Sequence, residues 1–230
     1  MPGTVDPDPR GLAGRRAGGQ PATSANVTWE TPAVGRERRW EALGQQGATL
    51  WFTGLPGSGK STVAAAVEAR LVESGRGAYR LDGDNMRHGI CGDLGFTRKD
   101  REANVWRVGE VARLFADSGS VAVVALVSPY ARCRERVRRR HEDDGLIFLE
   151  VFLNTSPEEC ARRDPKGLYA RAQRGEVQRM TGVDDPYEAP VAPDLELTPD
   201  CPPEAAADAV LLALDHRLAG ALASRPPVAS

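Results

Sequence analysis

Gly54-Leu55-Pro56-Gly57-Ser58-Gly59-Lys60-Ser61 follows the spacing GxxxxGK[ST] at every position. Glycines so spaced let the backbone wrap closely round phosphate oxygens, with N–H groups turned inward. Lys60 is placed to reach β- and γ-phosphates, and the Ser61 hydroxyl to ligate Mg²⁺. The apolar run Thr49-Leu50-Trp51-Phe52-Thr53 before the loop reads as a strand. Residues 61–73 after it read as an Ala-rich helix, whose positive end would meet the anion. Loop and context together imply a bound nucleoside triphosphate, with Gly54, Gly57, Ser58, Gly59, Lys60 and Ser61 as its cradle. They leave the phosphoryl acceptor open.

A second group of chemistry-bearing residues is Leu81-Asp82-Gly83-Asp84-Asn85-Met86-Arg87. It follows a short strand candidate over 78–81, so Asp82 and Asp84 fall at a carboxyl edge, where open parallel sheets bind ligands. A carboxylate there can orient a metal-bound water or accept a proton from an attacking hydroxyl. Arg87 can hold an anionic acceptor bidentately. The bland alternative is a solvated Asx-rich turn. The run 121–127 ends in Ser128-Pro129-Tyr130 and carries no acid for the metal. A basic segment, Arg162-Arg163-Asp164-Pro165-Lys166-Gly167-Leu168-Tyr169, has the composition to close over phosphates, and closure excludes the water that would waste a triphosphate. The alternative for it is a solvated charged face. From the residues alone, this is a small kinase with an anionic acceptor.

These groups need rigid elements to hold them. Residues 121–127 form a Val/Ala run typical of a strand buried on both faces. Residues 148–153 make another strand, and Leu195–Leu197 a weak edge strand. Arg36–Leu43 reads as a short charged helix. Residues 100–117 carry an apolar stripe at Val105, Val108, Val111, Ala112 and Phe115, and 205–222 form a terminal amphipathic helix. Strands alternating with helices imply βαβ units, a parallel sheet and helices on both faces. Residues 165–193 fit poorly, being rich in Gly, Pro, Asp and Arg, and read as a functional lid or loop. Residues 1–25 and 223–230 read as disordered tails round a single domain over 26–222, with the lid at about 129–190.

Composition narrows the class. Of 230 residues 41% are hydrophobic and 27% charged, a globular balance, and the net charge of −2 speaks against nucleic-acid binding. No apolar run approaches membrane-helix length, and no signal-peptide core is present, so a cytoplasmic location is expected. The four scattered cysteines, Cys91, Cys133, Cys160 and Cys201, lack metal-site spacing and read as reduced thiols. Only Lys60, Lys99 and Lys166 are lysines among the 30 basic residues. Where arginine is the default cation, a lysine in a motif marks a place that wants a compact, flexible ammonium. Lys99, outside the motifs, reads as a surface residue.

Taken in order, the motifs resemble the adenylylsulfate kinase (APS kinase) family. The resemblance runs from about residue 26 to 197. It rests on Thr49-Leu50-Trp51-Phe52-Thr53-Gly54, the phosphate loop and Leu81-Asp82-Gly83-Asp84-Asn85. Asp93-Leu94-Gly95-Phe96, Asp100-Arg101, Asn104, Arg107, Glu110-Val111-Ala112 and Leu114-Phe115-Ala116-Asp117 follow. Ser128-Pro129-Tyr130, Arg163-Asp164-Pro165-Lys166-Gly167-Leu168-Tyr169, Thr181-Gly182 and Asp185-Pro186-Tyr187-Glu188 complete it.

The resemblance implies a P-loop NTPase-type three-layer α/β sandwich with a mobile lid. It implies transfer of the ATP γ-phosphate to the ribose 3′-hydroxyl of adenylyl sulfate, with Mg²⁺. Residues 57–62, Thr62 included, would hold ATP, with Arg163 beside it. Asp84, Asn85, Met86 and Arg87 would contact the acceptor, and Asp82 or Asp84 would lie near Mg²⁺ and the hydroxyl. Phe96 would stack on the acceptor adenine, Arg101 and Asn104 would bind its phosphosulfate and ribose side, and Lys166 would reach it from the lid. Val127 and Ser128 would line the site. Ser128 is the family position associated with a phosphoserine, but direct in-line transfer makes a hydrogen-bonding role the expectation. Met180 stands where the family usually has Phe against the adenine, and predicts softer stacking. Ala103 and Trp106 depart from the usual Glu and Arg. A homodimer and a separate ATP sulfurylase supplying the substrate are expected. The rival readings are a P-loop kinase for another small acceptor and a nucleotide-binding regulatory module without transfer.

Overall fold

The computed structural model describes residue 26 and residues 30–223. In chain order the elements are α1 (Arg36–Leu43), β1 (Ala48–Thr53), α2 (Lys60–Glu73), β2 (Ala78–Asp82), α3 (Gly83–Met86), α4 (Arg98–Ser118) and β3 (Val121–Ala125). Then come α5 (Ala131–Asp143), β4 (Ile147–Leu153), α6 (Pro157–Arg163), α7 (Leu168–Gln173), β5 (Leu195–Leu197) and α8 (Pro203–Ala223). The expected tails lie outside the described residues, apart from Ala223 at the end of α8.

β1, β3 and β4 are buried at every position, as the largely apolar strands of a sheet covered on both faces are. They occupy the middle of a five-stranded sheet of order β2-β3-β1-β4-β5, every pairing parallel. Strand periodicity sends alternate residues to opposite faces. Leu50, Phe52, Val123, Leu149 and Val151 meet α2 and α8 through Val63, Val67, Val210 and Leu214. Trp51, Val124 and Phe148 meet α4 and α5 through Val105, Val108 and Val137. The result is the expected three-layer α/β sandwich.

α4 starts at a full capping box, Thr97 accepting from Asp100 N and Asp100 accepting from Thr97 N. α1 packs Trp40 on Ala116 and Leu146, below the amino edge of the sheet. No helix of the described residues is long and apolar enough to cross a membrane.

Two boundaries differ from expectation. The strand expected over 121–127 ends at Ala125, because Ser128 turns the chain with a positive φ of 42°. The lid expected over 129–190 cannot start at 129, since that span contains α5 and β4, and β4 is a buried interior strand. What overhangs the cleft runs from the end of α6 to about residue 188. Tyr169 and Met180 of that stretch form a small apolar cluster with Leu55 of the phosphate loop and Cys160 of α6. The segment expected to be irregular contains α7 and a bridge between Thr181 and Asp185.

Candidate active site

A cleft of about 920 Å³ opens at the carboxyl edge of the sheet. The chain leaves central β1 there and runs out to β2 before returning, which is the topological switch point where such folds place ligands. The phosphate loop forms one wall. Gly57 has φ +80°, and a Cβ there would sit 2.9 Å from Cys160 O. Gly54, with φ +151°, is equally closed to a side chain by Leu153 O at 2.9 Å. The Lys60 ammonium is buried among its own loop, donating to Gly54 O at 3.0 Å and Leu55 O at 2.7 Å. Burial pushes it down to about 8.

Opposite the loop stand the two acids, now distinguishable. Asp82 is the last residue of β2, and its Oδ2 accepts from Ser61 Oγ at 2.8 Å while its Oδ1 caps Asp84 N at 3.0 Å. Asp84 projects further into the cleft and takes the Lys166 ammonium from the overhanging segment. That bond with Asp84 holds Lys166 above the ordinary lysine value. The loop, the acids and Lys166 therefore meet, as expected from their motifs.

The far end of the cleft is cationic and aromatic. Phe96 is half exposed, with the Arg87 guanidinium 4.3 Å and the Arg101 guanidinium 5.6 Å from its ring centre. Burial, then the neighbouring charge of Arg101, pulls Arg87 below the ordinary arginine value. Arg101 donates to Phe96 O at 3.2 Å, contacts Arg179 O, and pairs with Asp185 at 3.1 Å. Asn104 is 4% exposed and its Oδ1 has no partner among the described residues. A buried acceptor left open in a cleft wall is a site for a ligand donor. Asn85 and Val127 line the cleft, while Met86 packs into the apolar cluster beneath it. Met180 lines the cleft from the overhang with only 5% of its surface exposed, the rest packed against Leu55, Cys160 and Tyr169.

Ser128 lines the cleft, yet its side chain is turned away from it. Its Oγ accepts from Trp51 Nε1 at 3.1 Å and lies 3.0 Å from Thr53 Oγ1, and the residue is 1% exposed. Arg163 reaches a second cavity of about 290 Å³, shared with Gly59, Thr62 and the loop after β5.

Three contributors carried no assigned role in the sequence reading. Asp185 holds Arg101, Tyr169 donates to Pro56 O at 3.0 Å and ties α7 to the phosphate loop, and Arg134 stands behind Ser128. Asp185 and Tyr169 lie inside the quoted motifs, but their partners are too far along the chain for spacing to connect them. Arg134 had only its position three residues before Val137 and seven before His141 to signal a buried helix face.

A sequence model of the family described as Adenylylsulphate kinase matches residues 46–198, which is most of the described chain. The chain belongs to the adenylylsulphate kinase family. It is 49% identical over 172 residues to the adenylyl-sulfate kinase of Vibrio vulnificus (strain YJ016), covering 75% of this chain and 82% of that one. It is 52% identical over 172 residues to the bifunctional enzyme NodQ of Rhizobium sp. (strain N33), but these span only 26% of NodQ. Among solved structures it resembles the Mycobacterium tuberculosis APS kinase CysC in complex with AMPPNP and APS. There the TM-score is 0.73 at 50% identity, over 74% of this chain and 99% of that one.

Proposed function

We propose that this chain transfers the γ-phosphate of ATP to the ribose 3′-hydroxyl of adenylyl sulfate, giving 3′-phosphoadenylyl sulfate and ADP. The observation that carries this reading is the single cleft in which a phosphate loop faces a cation-flanked aromatic across a pair of carboxylates. A triphosphate at one end and a phosphosulfate-bearing nucleotide at the other both suit that arrangement. Membership of the adenylylsulphate kinase family supports the choice of acceptor over other small alcohols.

The residues divide the work. Gly54, Gly57, Ser58, Gly59, Lys60, Ser61 and Thr62 cradle the ATP phosphates, and Arg163 flanks the cavity suited to its base. Phe96 offers a stacking face for the acceptor adenine, Arg87 and Arg101 its anion contacts, and Asn104 an open carbonyl for a ribose or amino donor. Asn85, Met86, Val127 and Met180 shape the acceptor side. Asp84 orients the attacking hydroxyl, and Lys166 holds Asp84 while following the migrating phosphoryl group.

Mg²⁺ fits Ser61 and Asp82, with Asp84 beside them. The adjacent oxygens are hard donors, and few protein ligands are needed when substrate phosphates complete the shell. Bound there, the ion would supply charge neutralisation to the transferring phosphate. Closure of the overhanging segment excludes water from the transfer. Ser128 acts as a hydrogen-bonded part of the wall rather than a nucleophile. Ser128→Ala should retain transfer within about tenfold and give no acid-stable phosphoprotein with labelled ATP. A homodimer in a reducing, cytoplasmic setting suits the family and the four free thiols.

The deciding experiment is a coupled ADP-release assay with adenylyl sulfate, gluconate, shikimate and nucleosides as acceptors. Stimulation by adenylyl sulfate alone is the expected result. No stimulation over the ATPase background would sink the reading.

A further inference from the structure

A buried arginine behind the acceptor wall has no contact with the cleft, yet it joins both structures that shape it. Arg134, on α5, is 2% exposed. Its Nε donates to Glu150 Oε1 at 2.6 Å, Nη1 to Ser128 O at 2.7 Å and Nη2 to Glu188 O at 2.7 Å. Ser128 O belongs to the turn that carries Val127, Ser128 and Pro129 along the cleft. Ser128 holds a positive φ that L side chains rarely adopt, so the turn needs an external restraint. Glu188 O belongs to the return end of the overhanging segment, three residues beyond the Asp185 that holds Arg101.

The surrounding bonds tie these same two pieces together. Glu188 N donates to Pro129 O at 2.8 Å, and Ala131 N to Glu188 Oε2 at 2.8 Å. Tyr187 Oη lies 3.0 Å from Thr53 Oγ1, which donates to Val127 O at 2.8 Å.

Glu150 explains what the arginine costs and what it is for. It sits in β4 on the face that carries Phe148, where a hydrophobic side chain would pack as well. A buried ion pair is often no more stabilising than apolar residues of similar volume. An apolar pair would, however, leave Ser128 O and Glu188 O without their donors. The fixed fork of a guanidinium can serve a carboxylate and two carbonyls together, whereas an ammonium cannot match that geometry.

We propose that Arg134 is a positioning residue for the acceptor site. It locks the 127–129 wall to the 185–188 end of the overhang, and so sets where the acceptor, but not ATP, is held. The identity of that acceptor rests on the function proposed above.

The test compares Arg134→Met, Arg134→Lys and the double variant R134M/E150Q, which removes the carboxylate charge left by the single change. In R134M the adenylyl sulfate KM should rise about tenfold, with the ATP KM within about twofold of wild type. In the double variant the urea midpoint should recover in part, the two carbonyls still lacking their donors and Arg138 losing one of its carboxylate partners, while the raised acceptor KM remains. Lysine should not restore the KM.

A substrate-independent readout is the Trp51 indole ¹H–¹⁵N resonance, since Trp51 Nε1 donates to Ser128 Oγ at 3.1 Å. It should be displaced in R134M/E150Q. Recovery of KM together with stability, an equal rise in both KM values, full rescue by lysine, or an undisplaced indole resonance would each overturn the proposal. Failure of the wild type to use adenylyl sulfate would refute the substrate assignment instead, leaving the indole measurement to decide the role of Arg134.

Discussion

Lys60 carries its charge at the wall of the cleft in a place nearly closed to water, among the carbonyls of its own loop. Its ammonium is held down near 8 by burial, and a bound phosphate would raise it again. Binding needs the protonated form, so ATP affinity should be flat below pH 8. Above it, affinity should fall towards about tenfold per pH unit, with proton uptake on binding. Calorimetric titrations at pH 7.5 and pH 9 in buffers of different ionisation enthalpy would show both. Met180 makes a different kind of prediction. It is packed against Leu55, Cys160 and Tyr169 at the underside of the overhang. A phenyl ring there would offer a flat, rigid face to the acceptor, so Met180→Phe should lower the adenylyl sulfate KM by about threefold, with the ATP KM unchanged. The lysines were informative in the sequence because arginine is the default cation. Lys60 and Lys166 meet at the cleft, while Lys99 is exposed at the first turn of α4.

At the scale of elements, α4 deserves its capping box because Arg101 and Asn104 lie in its first two turns. Thr97→Ala removes the acceptor for Asp100 N and should cost about 1 kcal/mol in urea unfolding. The same fraying should raise the acceptor KM several-fold and leave the ATP KM alone. α4, β1, β3 and β4 were legible because most of their buried positions are apolar, the helix at helical spacing and the strands as near-continuous runs. α5 was not. Its inward positions are Arg134, Val137 and His141, spaced as a helix face should be, but two of the three are polar. Their hydrogen bonds, not their hydropathy, make them core residues, and those bonds reach partners distant in the chain. The overhang was legible as an irregular segment but not in its extent. Its start was misplaced because nothing local distinguishes α5, a charged helix under the sheet, from a charged lid.

On the scale of the whole molecule, His141 links acid stability to the central sheet. Its Nδ1 donates to Val137 O at 2.8 Å, and its Nε2 lies 3.0 Å from Thr49 Oγ1 on β1. Burial lowers it to about 4 from an ordinary 6.5. The folded state therefore resists a proton that the unfolded chain accepts. That contribution is complete above pH 6.5, declines as pH falls, and is exhausted below pH 4, a loss of about 3 kcal/mol. Urea unfolding of wild type should weaken between pH 7 and 4.5 more steeply than that of His141→Gln, and equal slopes would refute this. The strand order has a further consequence, for how such an enzyme diverges. The triphosphate loop grows from β1, which is flanked by strands on both sides, whereas Asp82 ends and Asp84 follows β2, which has one neighbour. A change at β1 disturbs the centre of the molecule, and a change at β2 disturbs its margin. Laboratory evolution for a new acceptor should therefore accumulate its substitutions from β2 to the start of α4, with the donor half inherited intact.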